Sequence, residues 1–266
     1  MGSRTKRVVI IADLHSGHRA GLTPPSWQYR ADPEDDPDMA KFGAEQRAVW
    51  DWYAKKIEEL SPVDVLIVNG DAVDGKGEGS GGTEEITTER HRQVAMAAKA
   101  INPWKAPRIV MTYGTGYHTG KDDDWEPILA REVGAEKIGG HEWVGVNGLI
   151  FDVKHKIGRS SVPHGRGTPL SRAAFWNKLS AEREIEPRAH VFIRSHVHYF
   201  TYVGDGGYLA ISTPALQAFG SKYGTRQCEG TVDVGLLQFD VDRDGGYSWK
   251  PHLFDLRLMA PQVIKV

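Results

Sequence analysis

The sequence predicts an α/β fold, and two observations support this prediction. In the first half of the chain, short runs rich in Val and Ile alternate with segments whose apolar residues recur every three or four positions. This alternation is typical of βαβ units. In the second half, strand-like runs follow one another with a single helical segment among them. No Pro-, Gly- or Ser-rich linker divides the chain, so we expect one domain over residues 1–266.

Three apolar runs in the first half each end in a polar cluster. The runs 7–12, 63–68 and 108–113 are continuous and rich in β-branched residues, as expected for strands buried on both faces. The clusters that follow them are Asp13-Leu14-His15, Asn69-Gly70-Asp71 and Gly114-Thr115-Gly116-Tyr117-His118. Polar residues at the carboxyl ends of parallel strands indicate the sheet edge where α/β proteins hold their functional sites.

The remaining elements follow from the same patterns. Apolar spacing predicts helices at 39–60, 88–101, 125–133 and 169–184. Apolar runs predict further strands at 149–153, 191–194, 208–212, 234–240 and 247–253, and an Asp- and Gly-rich hairpin turn joins the last two. Two long loops remain, at 17–38 and 75–83. The first is open to two interpretations, a lid and a partner surface, and the glycine-rich second is expected to be mobile.

Composition excludes several classes of protein. The 33 Lys and Arg residues against 35 Asp and Glu give a net charge of −2, which leaves only a local basic patch as a means of binding nucleic acid. One Cys excludes a disulfide framework and a Cys-based zinc site. The absence of a secretory leader and of a run of about 18 apolar residues predicts a soluble, cytoplasmic protein with no membrane partner. The 11 His residues favour imidazole and carboxylate as the ligands of any bound metal.

Six potential metal ligands lie at the ends of predicted strands. Asp13 and His15 are two residues apart, which places both side chains on one face of a strand to grip one cation, and His196 and His198 repeat that spacing. The full set is Asp13, His15, Asp71, His155, His196 and His198. These donors favour first-row metals such as Mn, Fe or Zn over a Ca or Mg cage. Because six ligands exceed one tetrahedral site, two metals bridged by a shared Asp are the economical interpretation.

Each of these short motifs is common by chance. Taken alone, an Asp-x-His, a His-x-His or a Gly-Asp pair is most often a surface or core feature without a metal. Here, however, each motif falls at the end of a predicted strand. This shared position favours a common site over a set of unrelated residues.

In their order along the chain, the motifs resemble those of the calcineurin-like metallophosphoesterase superfamily. The family pattern is Asp-x-His, Gly-Asp-x-x-Asp, Gly-Asn-His-(Asp/Glu), a lone His and Gly-His-x-His. The matching segments are 13–15, 70–74, a variant around His118, His155 and 195–198. The resemblance spans residues 13–198. It implies two mixed β-sheets packed as a sandwich flanked by helices, with metals at one edge.

The resemblance also implies a role for each matching residue. Two divalent metal ions are expected, with Mn as the leading candidate and Fe, Zn or Ni as alternatives. The first would be held by Asp13, His15 and His198, the second by His155 and His196, and both by the bridging Asp71. A metal-bridging hydroxide would attack the phosphorus, His118 would protonate the leaving oxygen as general acid, and Asp74 would orient His118.

The third motif departs from the family pattern, which has an Asn ligand for the second metal. One alignment places Tyr117 at the Asn position, and another places Thr115 there with two residues inserted before His118. The Gly-Thr-x-x-His-x-Gly form resembles a variant of phage-encoded members, which makes a phage or prophage origin an expectation. In either alignment the second site has a weak or missing ligand, so we expect it to bind its metal less tightly.

Three further residues are candidates for substrate binding. His18 follows His15 by three residues, on the loop that leaves the predicted site. His164 and Arg166 lie in a Gly- and Arg-containing segment after His155, which could bind phosphate or could be a solvated loop. Trp176, close to that segment, is a candidate for base stacking, with a structural role as the alternative.

The predicted function is metal-dependent hydrolysis of a phosphate ester. The preferred hypothesis is a phosphodiesterase or nuclease that acts on nucleic acid or a nucleotide. The alternative is a phosphomonoesterase that acts on a small molecule or a nucleic-acid end. Gly75 occupies the position of an Arg in protein Ser/Thr phosphatases, which disfavours that branch. A non-catalytic scaffold is the third hypothesis, and the sequence leaves the oligomeric state open.

Overall fold

The computed structural model describes residues 4–119, 124–160, 162–220 and 231–255. Two mixed β-sheets pack face to face, and helices flank them. The strands are β1 (Lys6–Ile11), β2 (Val65–Asn69), β3 (Arg108–Thr112), β4 (Lys137–Gly139), β5 (Glu142–Val146), β6 (Leu149–Val153), β7 (Val191–Arg194), β8 (Thr201–Asp205), β9 (Tyr208–Ser212), β10 (Gly235–Val241) and β11 (Tyr247–Leu253). The α-helices are α1 (Pro37–Leu60), α2 (Arg90–Ile101), α3 (Gly116–Thr119), α4 (Glu126–Glu132) and α5 (Thr168–Glu182).

The first sheet has the strand order β11-β10-β1-β2-β3-β4. The strands from β1 to β4 run parallel, with Val9 opposite Leu66 and Leu66 opposite Ile109. The last two strands, β10 and β11, close the other side in antiparallel pairing. Because the parallel strands point the same way, the loops that follow β1, β2 and β3 meet at one edge.

The second sheet has the strand order β5-β6-β7-β9-β8. Its central strands β6, β7 and β9 are parallel, with Val153 opposite Ile193 and Ile193 opposite Ile211. The outer strands β5 and β8 pair antiparallel with their neighbours. The carboxyl ends of β6 and β7 therefore lie side by side.

Alternation of side chains along β1 explains how the layers pack. Val8 and Ile10 pack with residues of the second sheet, whereas Val9 and Ile11 pack with residues of the helices. This is the two-residue period of a strand buried on both faces. In the core between the sheets, the rings of Phe151 and Phe239 meet edge to face, with centroids 5.1 Å apart.

Polar contacts fix the helices on the first sheet. Asp36 caps the start of α1 by accepting a hydrogen bond from the backbone N–H of Met39 at 3.0 Å. In the buried interface between α1 and α2, the Tyr53 hydroxyl donates to the carbonyl of Ala100 at 2.8 Å and accepts from Trp104 Nε1 at 2.6 Å. On the second sheet, α5 packs through a smaller apolar cluster. None of the helices in the described ranges is long and apolar enough to cross a membrane.

The predicted α/β class, with two mixed sheets and flanking helices, is confirmed. Helix α1 begins at Pro37, two residues before its predicted start, because Asp36 and Pro37 provide a cap and a first turn. Strands β4, β5 and β8 were not predicted: β4 has only three residues, and β8 is largely exposed and lacks a buried apolar run.

Both long loops contain ordered turns. Loop 17–38 includes a 3-10 turn at Pro25–Trp27 and is tied to α1 by Gln46, whose side chain donates to the carbonyl of Arg19 at 2.8 Å and accepts from the N–H of Tyr29 at 2.8 Å. Segment 75–83 contains a second 3-10 turn at Glu78–Ser80. The lid, partner-surface and mobility interpretations of these loops stay predictions.

Candidate metal centre

Two groups of three potential ligands, made up only of the residues predicted as ligands, lie at the edge where the parallel strands end. In each group, the candidate ligand atoms all lie within 4.8 Å of one another. The first group is Asp13, His15 and His198, and the second is Asp71, His155 and His196. The structure thus brings together all six residues that the sequence predicted as ligands.

Each group draws its members from both sheets. Asp13 and His15 follow β1, and Asp71 follows β2, all in the first sheet. His155 follows β6, and His196 and His198 follow β7, in the second sheet. Backbone hydrogen bonds fix these loops, including Asp13 N–H to the Gly70 carbonyl and His15 N–H to the Asp71 carbonyl, both at 3.0 Å.

The reason predicted for the two-residue spacing is wrong. Asp13 and His15 lie beyond the end of β1, so the alternation of a strand does not place them side by side. His196 and His198 are also beyond their strand, and they enter different groups. The loop conformation, and not the pleat of a strand, directs these side chains into the site.

Most of the predicted ligands have a left-handed backbone conformation. Eight described residues other than glycine have positive φ, and five of them belong to the two groups. Their φ values are 51° at Asp13, 45° at His15, 48° at Asp71, 76° at His196 and 56° at His198. This conformation costs about 1 to 3 kcal/mol per residue, and it persists only where the surroundings enforce it. Such outliers concentrate at functional sites, which supports this edge as the site of chemistry.

Two glycines permit the close approach of loops around Asp71. Gly70 has φ of 75°, and a Cβ there would stand 2.5 Å from Nδ1 of His155. A Cβ on Gly114 would overlap the Asp71 carboxylate and its backbone nitrogen. Side chains at either position would therefore displace a predicted ligand.

Hydrogen bonds hold two of the imidazoles by Nδ1. Nδ1 of His15 lies 2.6 Å from Oδ1 of Asp74, and Nδ1 of His155 donates to the carbonyl of Asn69 at 2.7 Å. Because Nδ1 is engaged in both rings, Nε2 is the nitrogen available to a metal. Nε2 of His15 lies 3.1 Å from Nε2 of His198, which in turn lies 3.2 Å from Oδ1 of Asp13. Converging donor atoms of this kind fit a cation between them.

The electrostatics of the groups also fit bound cations. Burial alone would raise the pKa of Asp13 and Asp71, but the surrounding histidines outweigh it and lower both pKa values. Burial opposes the charged form of His155, yet Asp71 and Asp13 raise the pKa of this imidazole to about 10. The buried carboxylates thus require neighbouring positive charge, which a divalent cation held by neutral imidazoles would supply.

His118 stands next to the first group, on the short helix α3. Its ring packs edge to face on His15, with centroids 4.5 Å apart. Its Nδ1 lies 3.0 Å from the carbonyl and 3.2 Å from Oδ1 of Asp74, the residue to which the resemblance gives an orienting role. Burial disfavours the imidazolium, but the Asp74 hydrogen bond and the Asp71 charge raise the pKa of His118 to about 9. The ring is therefore protonated at neutral pH in the absence of metal.

Thr115 and Tyr117, the two candidates for the missing Asn position, lie in different surroundings. The N–H of Thr115 donates to Oδ1 of Asp71 at 2.6 Å, and its hydroxyl lies 3.2 Å from the same oxygen. Tyr117 is exposed, and its hydroxyl accepts from the N–H of Gly79 at 2.6 Å. Of the two, Thr115 is the residue beside the predicted ligands.

The three candidates for substrate binding occupy different environments. The guanidinium of Arg166 stacks 4.3 Å above the ring of Tyr199, the neighbour of His198. His164 is exposed in a 3-10 turn. His18 is buried, accepts from the N–H of Ala20 at 3.0 Å, and belongs to a separate group with Asp74 and Glu85. Burial lowers the pKa of His18 to about 4, so its ring is neutral.

Two residues that support the site were not singled out from the sequence. Glu126 is buried in α4 and accepts from the N–H groups of Ala72 at 2.9 Å and Gly114 at 2.6 Å. Asn69, which ends β2, donates to the Ser195 hydroxyl at 2.6 Å across the two sheets. Asn69 had a visible signal, since it opens the Asn-Gly-Asp cluster. Glu126 had none, because it follows an acidic run without a recognisable motif.

A cleft of about 290 Å³ opens beside the second group. It is lined by Tyr113, Gly114, Thr115, Gly116, Gly140, Lys154, His155 and Lys156. The cleft therefore gives solvent and small ligands a route to His155.

The chain matches no protein-family model and no curated protein. Among solved structures, it is similar to an archaeal phosphodiesterase, at 15% identity and TM-score 0.45. This match covers 92% of this chain and 99% of the archaeal one. It is similar to Vps29 from Entamoeba histolytica in complex with zinc, at 11% identity, TM-score 0.40 and 94% and 99% coverage. It is also similar to a predicted phosphoesterase from Streptococcus pneumoniae, at 10% identity, TM-score 0.38 and 95% and 99% coverage. These likenesses are distant. The ligands and activities of those proteins are not assigned to this chain on the basis of these matches.

Proposed function

We propose that this protein is a metal-dependent phosphoesterase that hydrolyses phosphodiesters with two divalent cations. The observation that carries the proposal is the pair of ligand groups at one sheet edge, in which donor atoms converge within 4.8 Å. The engaged Nδ1 atoms of His15 and His155 support it, since they leave both Nε2 atoms for metals.

The donor set supports two first-row metals. Asp13, His15 and His198 would hold the first, His155 and His196 would hold the second, and Asp71 would be shared, with Thr115 beside it. Mixed nitrogen and oxygen donors favour Mn, with Fe, Zn or Ni as alternatives. When bound, such cations neutralise phosphoryl oxygens and lower the pKa of a coordinated water. The third motif resembles that of phage-encoded family members and offers Thr115 in place of an Asn ligand. This difference supports a lower metal affinity at the second site than at the first.

Within this function, His118 is the proton donor. Its Nδ1 faces the Asp74 carbonyl and carboxylate, so Nε2 carries the transferable proton. Burial disfavours the charged ring, but the Asp74 hydrogen bond favours it and raises the pKa of His118 in the metal-free protein. The role of His118 is to protonate the departing alkoxide, and the role of Asp74 is to orient the ring and stabilise its charge.

Hydrolysis of two nitrophenyl esters tests the proposal. The protein loaded with Mn²⁺ is expected to hydrolyse bis-p-nitrophenyl phosphate faster than p-nitrophenyl phosphate, and a chelator is expected to abolish both activities. A preference for the monoester would support the phosphomonoesterase alternative instead. No turnover of either ester with Mn²⁺, Fe²⁺, Zn²⁺ or Ni²⁺ would leave the binding-scaffold hypothesis.

A further inference from the structure

A second cleft, of about 260 Å³, adjoins the cleft at the metal centre. Lys154 and Lys156 line both clefts, so the two clefts meet at this segment. The two lysines flank His155 in the chain, and they are exposed whereas His155 is buried. The segment thus directs an imidazole into the metal centre and two cations toward solvent along the clefts.

Helix α5 supplies the opposite wall of the second cleft. Arg172 lies over the loop after β6, with Nη2 3.6 Å from the position of a Cβ on Gly158. Trp176, one turn further along, lines the cleft although 59% of its surface is exposed. Asn177 anchors this part of α5, because it accepts from the N–H of Ala189 and donates to the Pro187 carbonyl, both at 3.0 Å.

The floor of the second cleft is a buried ion-pair network. Nη1 of Arg194 lies 2.7 Å from Oδ1 of Asp152, and Nε2 of His141 lies 2.8 Å from the same oxygen. The other acidic residue of the lining, Glu186, accepts from Asn177 at 3.3 Å. Asp152 is paired with Arg194, so Lys154, Lys156 and Arg172 face only the carboxylate of Glu186 and make the cleft attractive to anions.

We propose that the two clefts form one groove for single-stranded nucleic acid. This inference rests on the proposed function and names its substrate class. The phosphate to be cleaved would lie at the metal centre, the phosphates next to it would contact Lys154, Lys156 and Arg172, one each, and an unpaired base would stack on Trp176. In a duplex the bases are already stacked on one another, so Trp176 favours a single strand.

Binding of a labelled oligonucleotide tests this groove. The probe is a fluorescein-labelled thymidine dodecamer, and its anisotropy is measured with the full chain loaded with Mn²⁺ in a His118→Gln background that slows cleavage. Trp176→Ala is expected to weaken binding about tenfold, and Trp176→Phe to restore most of the loss. The matched control is Phe175→Ala, since Phe175 is 58% exposed on the same helix and does not line the cleft.

The salt dependence of binding tests the three cations. We expect a triple variant to have a slope of log affinity against log salt that is smaller by about 2, because each single-strand phosphate contact contributes about 0.7. In this variant, Ala replaces Lys154, Lys156 and Arg172. Metal content by mass spectrometry and thermal unfolding verify that the triple variant keeps its metals and fold; if it does not, the same slope is measured with Arg172→Ala alone, with an expected decrease of about 0.7.

Unchanged affinity in Trp176→Ala, or an unchanged salt slope in a folded, metal-loaded cation variant, would overturn the groove. So would competition by thymidine monophosphate as effective as competition by the unlabelled dodecamer. If the nitrophenyl esters are hydrolysed in the same experiments, the proposed function stands without this groove. The expected binding pattern in a protein that hydrolyses neither ester would support the groove and contradict the proposed function.

Discussion

Asp74 joins His15 to His118 through a single oxygen. Its Oδ1 lies 2.6 Å from Nδ1 of His15 and 3.2 Å from Nδ1 of His118. One carboxylate therefore orients a proposed metal ligand and the proposed proton donor at the same time. Burial would raise the pKa of Asp74, but hydrogen bonds with His118 and His15 hold this pKa well below its usual range.

Substitution Asp74→Asn is expected to weaken metal binding at the first site and to lower activity together. An amide carries no negative charge, and its oxygen is a weaker acceptor than a carboxylate oxygen, so it holds the His15 ring less firmly. Loss of such a supporting partner lowers metal affinity about 10- to 100-fold. Calorimetric titration with Mn²⁺ measures the change. Asp35→Asn, at an exposed carboxylate, serves as the control. Equal affinity in both variants would contradict the role of Asp74.

Substitution His118→Gln is expected to affect substrates according to their leaving groups. Loss of a general acid lowers the rate about a hundredfold to ten-thousandfold when the leaving group is an alkoxide. Nitrophenolate leaves without a proton, so the effect on it should be small. The test compares thymidylyl-thymidine with the p-nitrophenyl ester of thymidine monophosphate, under Mn²⁺ saturation. Equal losses for the two substrates would show that His118 acts in some other way.

Titration with metal is expected to stabilise the protein in two steps. A ligand at about 100 times its dissociation constant stabilises the folded state by about 2.7 kcal/mol. Thermal unfolding at increasing Mn²⁺ should therefore show a tight step and a weaker one. We expect Asp13→Asn to weaken the tight step and His196→Ala to remove the weaker one. A single step in the wild type would contradict two sites of unequal affinity.

The Gly114→Ala substitution is expected to destabilise the site. The added Cβ overlaps the backbone nitrogen of Asp71 and its carboxylate, which Thr115 and His155 hold by hydrogen bonds. Such overpacking costs about 1 to 3 kcal/mol, and displacement of Asp71 should also weaken metal binding. Urea unfolding and Mn²⁺ titration measure both effects. The control is Gly145→Ala in β5, where a Cβ meets open space. Wild-type behaviour of the Gly114 variant would contradict the proposed packing.

Substitution Asp152→Asn is expected to destabilise the fold at neutral pH far more than in acid. Burial would raise the pKa of Asp152, but His141 and Arg194 outweigh it and lower the pKa below 3.8. The ion pair therefore contributes its full stability above about pH 4, and this contribution is lost as the pH falls through the lower folded-state value. At pH 7 the buried Arg194 left unpaired should cost about 3 to 5 kcal/mol.

Urea unfolding from pH 7 to pH 2.5 measures this effect, with Asp244→Asn, at an exposed position of the hairpin turn, as the control. The difference between wild type and Asp152→Asn should shrink as the pH falls. A difference that stays constant over this range would contradict the ion-pair explanation.

The six predicted ligands could be found from sequence because each lies within four residues of the end of a strand. The strand ends bring these residues to one edge of the fold, and this placement required no knowledge of the loops. The direction of their side chains did require it, since left-handed conformations at Asp13 or His198 follow from hydrogen bonds between distant loops. The pairing of Asp152 with Arg194 across 42 positions likewise has no local signal. Contacts of this kind depend on sheet order, which apolar spacing does not determine.

The division of ligands between the sheets has a mechanical consequence. Each proposed cation would cross-link the two halves of the sandwich, as the Asn69 to Ser195 hydrogen bond already does. Sliding of one sheet over the other would separate Asp13 from His198 and Asp71 from His155. Metal binding should therefore make the sheets open as one cooperative unit. Amide exchange in β2 and β7 should slow together when metal is added, although these strands belong to different sheets.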